Sequence, residues 1–385
     1  MKRFFIEYRF VAICCALCMI AGLFGCAKDS EISEDSLALQ TNEYFECSSF
    51  DETTTSEVTT EETTEETTTE EETMTEEETT EETTKVTTKE TTTEETMVVT
   101  TTEEVTTTVA ETTTYTKPEI SRDQYIITQY GDWSGRQHMF YTIEDYDGNL
   151  IVIDGGWSYE ADVVRSVIAE HDNHVSAWII THPHPDHAGA FNVIYQDLQG
   201  IVVDTIYTVD VNYDRYAETA TASDQYFVCE TFRSVISGLN NVAVVHENDE
   251  FSVLGLDFKV LHAWDENVDA LSSALCNNGS MVFTVTGSVN KMLFLADVQD
   301  EMEDFILANH LADLDVDFVQ LAHHGNWAVS QSFYDNVSAS AVFFDAPGWL
   351  FSGSIYTAAA LKEYFEGRDV DIYTFYTERN SVVFE

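Results

Sequence analysis

The chain has 385 residues and a formal net charge of −53, which is extreme for its length. Residues 51–116 hold 21 acidic and 2 basic side chains, and residues 1–50 hold 7 acidic and 4 basic side chains. Residues 117–385 therefore keep a net charge of −31. A body this negative repels phosphate backbones, which makes nucleic acid an unfavourable partner. A metal ion and a small-molecule substrate suit this charge better.

Residues 1–26 have the pattern of an export signal. Basic residues precede an apolar run from Phe10 to Phe24, and Leu23–Cys26 resembles a bacterial lipoprotein cleavage box. The run is short for a membrane span, which favours a cleaved signal over an uncleaved anchor helix. We therefore expect an exported protein at the outer face of the cell membrane or at the cell surface, held by a lipid on Cys26.

Residues 27–117 are predicted to form a disordered linker. From Asp51 to Thr116 the chain repeats threonine and glutamate, with no aromatic residue before Tyr115. Such a segment cannot bury enough apolar surface to offset the entropy lost on ordering, and repulsion between glutamates extends it. It could be a stalk that carries O-glycans or a plain acidic tether.

Residues 118–385 are predicted to form one folded domain. Apolar periodicity and turn residues predict strands at 125–130, 138–144, 150–153, 175–180, 202–209, 242–246, 250–254, 257–262, 281–286, 291–296, 316–322, 341–344, 371–376 and 381–384. Helices are predicted at 159–170, 188–197, 223–237, 300–310, 331–337 and 354–365. Two halves that each mix strands and helices indicate an α/β fold of two sheets packed face to face, with helices outside.

The strongest chemical signal is the segment Thr181–Gly189. It places His182, His184, Asp186 and His187 within six residues, directly after a buried strand. Imidazole and carboxylate are typical ligands of zinc and similar divalent metals. The prolines at 183 and 185 exclude a helix there, so the first two histidines point the same way and can hold one ion. The other two residues follow the turn and could hold a second.

Other polar side chains also stand where apolar strands stop. Asp154, Asp297 and the pair His323–His324 each follow such a run. Binding sites of α/β proteins gather at the carboxyl ends of strands, so these side chains are expected near the histidine cluster. A carboxylate such as Asp297 at the mouth of a buried strand needs a partner, and a metal ion is a suitable one.

Taken in this order, these motifs resemble those of metallo-β-lactamase-fold hydrolases over residues 124–385. Asp154 matches the first motif of that superfamily, Thr181–Gly189 the second, Asp297 the fourth and His323–Gly325 the fifth. Among its subgroups, the chain most resembles the metallo-β-lactamase-like domain of DNA-uptake competence proteins, through the segments 277–280, 295–297, 323–325 and 377–381. Secreted phosphocholine esterases of the same fold share much of this pattern.

The resemblance implies a four-layer αβ/βα sandwich and a centre of one or two divalent ions, zinc or else manganese. The implied metal ligands are His182, His184, Asp186, His187, Asp297, His323 and His324, of which Asp297 bridges two metals. One histidine of the pair 323–324 would bind metal, and the other could protonate the leaving group. Asp186, Asp297 and His324 are the implied catalytic residues, and Asp154, Asn277, Asn278 and Ser280 are expected to support them.

The third superfamily motif departs from the usual pattern. It normally supplies a histidine to the first metal, but Cys276–Ser280 occupies its place, as in the competence-type domains. The first metal is left with His182, His184 and Asp297, with Asn277 or Asn278 as a further candidate ligand, and could be weakly held. Cys276 and Cys229, the two cysteines of the body, could form a disulfide in an exported protein, or Cys276 could be a free thiol or a weak ligand.

The resemblance implies a metal-dependent hydrolase, attached to the cell surface, that uses a metal-activated hydroxide on a phosphoester or another small ester-like bond. Two alternatives remain. A competence-type nuclease is disfavoured by the negative charge of the body, and the other alternative is a stalked binding protein whose metal is structural. A β-lactamase role is less favoured because the third histidine is missing.

Overall fold

The structure, a computed structural model, describes residues 115–352, 355–375 and 379–385. The predicted signal segment and the predicted linker up to residue 114 lie outside the described residues, as do 377 and 378 of the competence-like ending. In the part of the chain that is described, no helix combines the length and the apolar character needed to cross a bilayer.

The described residues form strands and helices in alternation. The strands are β1 Tyr125–Gln129, β2 Phe140–Asp145, β3 Leu150–Asp154, β4 His174–Ile179, β5 Val202–Val209, β6 Val242–Val245, β7 Glu250–Val253, β8 Leu256–His262, β9 Val282–Thr286, β10 Lys291–Phe294, β11 Phe318–Gln320, β12 Ala341–Phe344, β13 Asp371–Thr374 and β14 Asn380–Phe384. The helices are α1 Ala161–Ala169, α2 Pro185–Gln196, α3 Tyr213–Thr219, α4 Phe227–Ile236, α5 Glu266–Asp269, α6 Leu275–Asn278, α7 Glu303–His310, α8 Gln331–Tyr334 and α9 Ala358–Glu366.

Among these residues the strands form two sheets of seven. The first sheet has the order β14-β1-β2-β3-β4-β5-β6 and the second the order β13-β12-β11-β10-β9-β8-β7. In the first sheet, β3 to β6 are parallel, and in the second sheet β10 to β13 are parallel. The remaining neighbours pair antiparallel. Each sheet therefore has a parallel half, whose strand ends can carry a site.

Burial on both faces explains the apolar strands. Along β3, Ile151 and Ile153 belong to the core shared with the second sheet, whereas Leu150 and Val152 belong to the core under α1, α2 and α4. A strand covered on both faces reads as a continuous apolar run. Because α7, α8 and α9 also add apolar side chains to the core of the second sheet, the predicted mixed α/β sandwich is confirmed.

Most predicted elements are present, with shifted ends. The predicted strand 316–322 is only Phe318–Gln320, and the predicted strand 291–296 stops at Phe294. In both cases the chain leaves the sheet early to form the turns that follow. The short helices α3, α5 and α6 were not predicted, because four to seven residues carry too little periodicity to stand out.

The prediction that prolines 183 and 185 exclude a helix is wrong at the second position. Pro185 is the first residue of α2, and His184 before it is extended at φ −74° and ψ 158°. Proline suits this position because the first helical N–H has no partner within the helix. Asp186 and His187 consequently lie in the first turn of α2, which begins before the predicted start at residue 188.

We predict that Gly189→Ala lowers the free energy of unfolding by about 1–3 kcal/mol, because overpacking a close contact costs this much. A Cβ at Gly189 would lie 2.5 Å from the backbone nitrogen of Ser158 and 2.8 Å from the carbonyl carbon of Trp157, and backbone cannot move aside easily. Gly238→Ala is the matched control, since its Cβ would meet nothing closer than 3.9 Å. Urea denaturation in the presence of a chelator measures both, and equal stability of the two variants would contradict the prediction.

Candidate metal centre

The candidate site lies where four strands end, two from each sheet. In the first sheet, β3 ends at Asp154 and β4 leads into the segment from His182 to His187. In the second sheet, Asp297 follows β10, and the pair His323–His324 follows β11. The structure therefore brings together side chains that are up to 170 residues apart in the sequence, at one rim of the sandwich.

Six of these side chains form two compact groups. His182, His184 and Asp297 make the first group, and Asp186, His187 and His324 make the second. Within each group the potential ligand atoms lie within 4.8 Å of one another, and every member is at most 8% exposed. Three ligands from histidine and aspartate are enough to hold a divalent metal with positions left for water or substrate.

Asp297 lies between the two groups. Its Oδ2 is 3.8 Å from Nε2 of His182 in the first group and 3.2 Å from Nε2 of His187 in the second. The same oxygen is 3.4 Å from Nε2 of His324, which is in turn 3.4 Å from Oδ2 of Asp186. A carboxylate in this position can contribute to both groups, as expected for a bridging ligand.

The donor atoms that face one another have no hydrogen-bond partner among the described residues. These buried atoms are Nε2 of His182, His187 and His324 together with Oδ1 of Asp297. A buried polar atom without a partner costs free energy, and such atoms seldom occur in clusters without a reason. Divalent cations at the two groups would satisfy these atoms, so the donor set fits metal ions of the zinc, manganese or iron type.

The opposite nitrogens of the histidines are held by other groups, which fixes the ring orientations. His187 donates from Nδ1 to Oδ2 of Asp154 at 2.8 Å, and His324 donates from Nδ1 to the carbonyl oxygen of Asp345 at 3.1 Å. Nε2 of His184 lies 2.9 Å from the hydroxyl of Tyr216. Such contacts select the tautomer and leave the other nitrogen free for a metal.

Asp154 is itself fixed by the chain that it supports. Its Oδ1 accepts from the backbone N–H of Thr181 at 2.8 Å, and its Oδ2 accepts from the Thr181 hydroxyl at 2.7 Å. The residue is fully buried and has a φ of 54°, in the left-handed region that aspartate tolerates better than most residues. It therefore links the end of β3 to the start of the histidine segment after β4.

The pair His323–His324 divides into two different environments. His324 joins the second group, whereas His323 belongs to neither group and is partly exposed. Both residues have positive φ angles, 45° and 58°, and Gly325 follows at 79°. This left-handed turn is costly for residues with a Cβ, and it directs the two adjacent imidazoles to different places.

Charges in the metal-free site depend on one another. Burial opposes a proton on His324, but the carboxylates of Asp297 and Asp186 outweigh it and raise the pKa of His324 to about 10. Burial is similarly outweighed at His187, where Asp297 and Asp154 raise the pKa well above its ordinary value. Burial and the nearby His187 hold the pKa of His182 well below its ordinary value. A metal must displace protons from His187 and His324, so its affinity rises with pH.

The segment in place of the third motif lies beside the site. Asn277 donates from Nδ2 to Nε2 of His323 at 3.3 Å, and its buried Oδ1 has no hydrogen-bond partner among the described residues. Asn278 accepts at Oδ1 from the backbone of Gln299, and Ser280 accepts at Oγ from the backbone of Asp297 at 3.4 Å. Asn278 and Ser280 therefore brace the chain around Asp297.

The two cysteines of the domain do not form a disulfide. Cys229 and Cys276 are both free and buried, which excludes the predicted alternative of a bridge. Burial raises the pKa of the Cys276 thiol well above its ordinary value. Cys276 also lies outside both groups of potential ligands.

Sequence reasoning missed several residues that support the site. Asp345 and Gln320 are fully buried polar residues behind His324 and Asp297, and Tyr216 and Asp224 contact His184. Asp345 is a carboxylate directly after a buried strand, as are Asp154 and Asp297, so the same sequence pattern could have identified it. Tyr216 and Asp224 lie in and after a short helix without any recognisable motif.

A family model matches one part of the chain. Residues 133–262 match the family model of the metallo-beta-lactamase superfamily. This range contains Asp154 and the whole segment from His182 to His187, whereas Asp297 and His324 lie beyond it. No curated protein sequence matches the chain significantly.

Solved structures similar to this chain have low identity to it. The metallo-beta-lactamase fold protein YhfI of Bacillus subtilis is 12% identical, with a TM-score of 0.42 over 68% of this chain and 99% of that protein. The diiron β-hydroxylase CmlA of Streptomyces venezuelae is 12% identical, with a TM-score of 0.43 over 69% of this chain and 55% of that protein. Igni18, a metallo hydrolase of Ignicoccus hospitalis, is 11% identical, with a TM-score of 0.40 over 68% of this chain and 99% of that protein. None of these matches tests the likeness to competence proteins, which stays a prediction.

Proposed function

We propose that this chain, which carries a metallo-beta-lactamase superfamily domain, is a metal-dependent hydrolase of a phosphoester or another small ester-like substrate. One observation carries the proposal: six buried ligand side chains form two adjacent groups, and Asp297 reaches both. A structural metal is usually enclosed by four protein ligands, whereas the first group offers three and leaves a position for water or substrate.

The first ion would be held by His182, His184 and Asp297, and the second by Asp186, His187 and His324 with the shared oxygen of Asp297. Zinc is the ion that we propose, with manganese as the alternative, because the ligands mix imidazole with carboxylate. When bound, the ions lower the pKa of a water toward neutrality and polarise the ester-like bond.

The residues of the chain then have separate tasks. Asp154 orients His187, and the Asp345 carbonyl orients His324. His323, outside both groups, is the proton-transfer residue that we propose for the leaving group. Partial burial lowers the pKa of His323 from its ordinary value, which favours a neutral imidazole that can take up a proton and pass it on.

A cavity of about 510 Å³ lies next to the turn that carries His323 and His324. Gln299, Gly325, Trp327 and Thr357 are among its lining residues, whereas His323 and the six candidate ligands do not line it. The side-chain amide of Gln299 lies 3.3 Å from Nδ1 of His323, which connects the cavity to the proposed proton-transfer residue. This volume fits a small molecule rather than a polymer, and the net charge of −31 over residues 117–385 disfavours nucleic acid.

The first test is turnover by the purified full chain loaded with zinc or manganese. We expect hydrolysis of bis-p-nitrophenyl phosphate or p-nitrophenyl phosphorylcholine, and no hydrolysis of a β-lactam or of plasmid DNA. His182→Ala should reduce turnover to the background rate because it removes a ligand, whereas His246→Ala, which replaces a mostly exposed histidine outside the site, should not. Metal bound without turnover of any ester would support the binding-protein alternative, and cleavage of plasmid DNA would support the nuclease.

The second test compares adjacent histidines. His323→Gln should keep the metal content of the wild type and lower kcat by about 10²–10⁴-fold, the usual contribution of a proton-transfer residue. His324→Gln should lose metal, because it removes a ligand of the second group. Elemental analysis and steady-state kinetics measure both effects. Loss of metal in His323→Gln, with retention in His324→Gln, would reverse the assignment.

We also propose that the domain is attached to the outer face of the cell membrane through a lipid on Cys26, with the acidic linker as a spacer between them. The basic residues, the apolar run and the cysteine of residues 1–26 support this location. Cys26→Ser should abolish both the labelling of the protein with radioactive palmitate and its partitioning into the Triton X-114 phase. Cys18→Ser, inside the apolar run, should leave the labelling and the partitioning unchanged. Equal labelling of the two variants would contradict lipidation at Cys26.

A further inference from the structure

Four buried polar side chains cross the interior of the sandwich directly behind the candidate metal centre. They are Gln129 on β1, Tyr141 on β2, Gln320 at the end of β11 and Asp345 after β12, and each is fully buried. Two of them belong to the first sheet and two to the second. We call this set the inter-sheet clasp.

The first part of the clasp holds the chain that presents Asp297. Gln320 accepts at Oε1 from the backbone N–H groups of Leu295 and Ala296, at 2.9 and 2.7 Å. These groups come directly after β10 ends, where sheet partners are lost, so the amide of Gln320 replaces them. The carbonyl oxygen of Ala296 accepts from the N–H of His323 at 2.8 Å, which joins this segment to the turn that carries His324.

The second part of the clasp joins the two sheets at Asp345. Its Oδ2 accepts from Nε2 of Gln320 at 2.9 Å, within the second sheet. Its Oδ1 accepts from Nε2 of Gln129 at 2.7 Å and from the hydroxyl of Tyr141 at 2.6 Å, both on the first sheet. The backbone oxygen of the same residue accepts from Nδ1 of His324, so one residue contacts both sheets and a ligand histidine.

This arrangement bears on the metal centre because the ligands come from different sheets. His182, His184, Asp186 and His187 follow β4 of the first sheet, and Asp297 and His324 follow β10 and β11 of the second. Apolar packing holds the sheets together but is not directional. Hydrogen bonds in a buried network are directional and permit one register only.

We infer that the inter-sheet clasp is a positioning device, which sets the separation of Asp297 and His324 from the four ligands of the first sheet and so determines the affinity for metal. The inference rests on the proposed metal centre. The four side chains of the inter-sheet clasp are not among the candidate ligands, so they act on the metal centre through Asp297 and His324. Loss of one bond of the clasp should weaken metal binding without removing a ligand.

Tyr141→Phe tests the inference, with Tyr125→Phe as the matched control. Each change removes one hydroxyl that links the first sheet to the second. Tyr141 donates to Asp345 at 2.6 Å and also accepts from Nε2 of Gln129 at 3.1 Å, and Tyr125 donates to the carbonyl oxygen of Leu254, directly after β7, at 2.6 Å. Tyr125 begins β1 and Gln129 ends it, so the control bond lies at the end of the strand away from the clasp.

The zinc dissociation constant of the full chain is measured by competition with a chelator, and melting temperatures are recorded without metal. Tyr141→Phe should raise the dissociation constant about 10–100-fold, the usual effect of losing a partner behind the ligands, while Tyr125→Phe leaves it unchanged. Gln320→Met should have a larger effect than Tyr141→Phe, because it removes the bonds to Leu295, Ala296 and Asp345 together.

The outcomes separate the inference from the proposed function. Equal zinc affinity in Tyr141→Phe and Tyr125→Phe, with ester hydrolysis by the wild type, would overturn the clasp and leave the hydrolase intact. A wild-type chain that binds no metal would overturn both. Weaker zinc binding in Tyr141→Phe alone supports the clasp, even if the wild type hydrolyses no ester.

Discussion

The candidate site depends on one buried carboxylate, that of Asp297. It is 2% exposed, and three imidazoles from two sheets converge on its Oδ2. A single ionised carboxylate at this depth is unstable unless positive charge compensates it. In the metal-free protein the protons on His187 and His324 supply that charge, and in the metal-bound protein divalent cations would supply it instead.

The two sheets share the construction of the site. The first sheet contributes a contiguous segment in which His182 and His184 precede α2, and Asp186 and His187 occupy its first turn. The second sheet contributes single residues after two neighbouring strands, Asp297 and His324. This division explains why the family match, which ends at residue 262, contains only part of the ligand set. It also explains why polar contacts between the sheets matter for metal geometry.

Much of the fold could be predicted from local patterns. The continuous apolar run at β3 and the segment before His182 predict buried strands because both faces of those strands are covered. The helix start at Pro185 was misread because proline is unfavourable inside a helix but favourable at its first position, and the sequence does not distinguish the two. The short helix that carries Tyr216, which contacts His184, left no periodic signal.

The sequence by itself determined which residue types could bind metal, because histidine and aspartate at strand ends have few other reasons to cluster. It could not separate His323 from His324, since adjacent residues are alike in sequence and only the left-handed turn sends one to the second group and leaves the other outside it. It also could not identify Asp345 as the partner of Gln129 and Tyr141. These contacts join residues 216 and 204 positions apart, and only the packing of one sheet on the other brings them together.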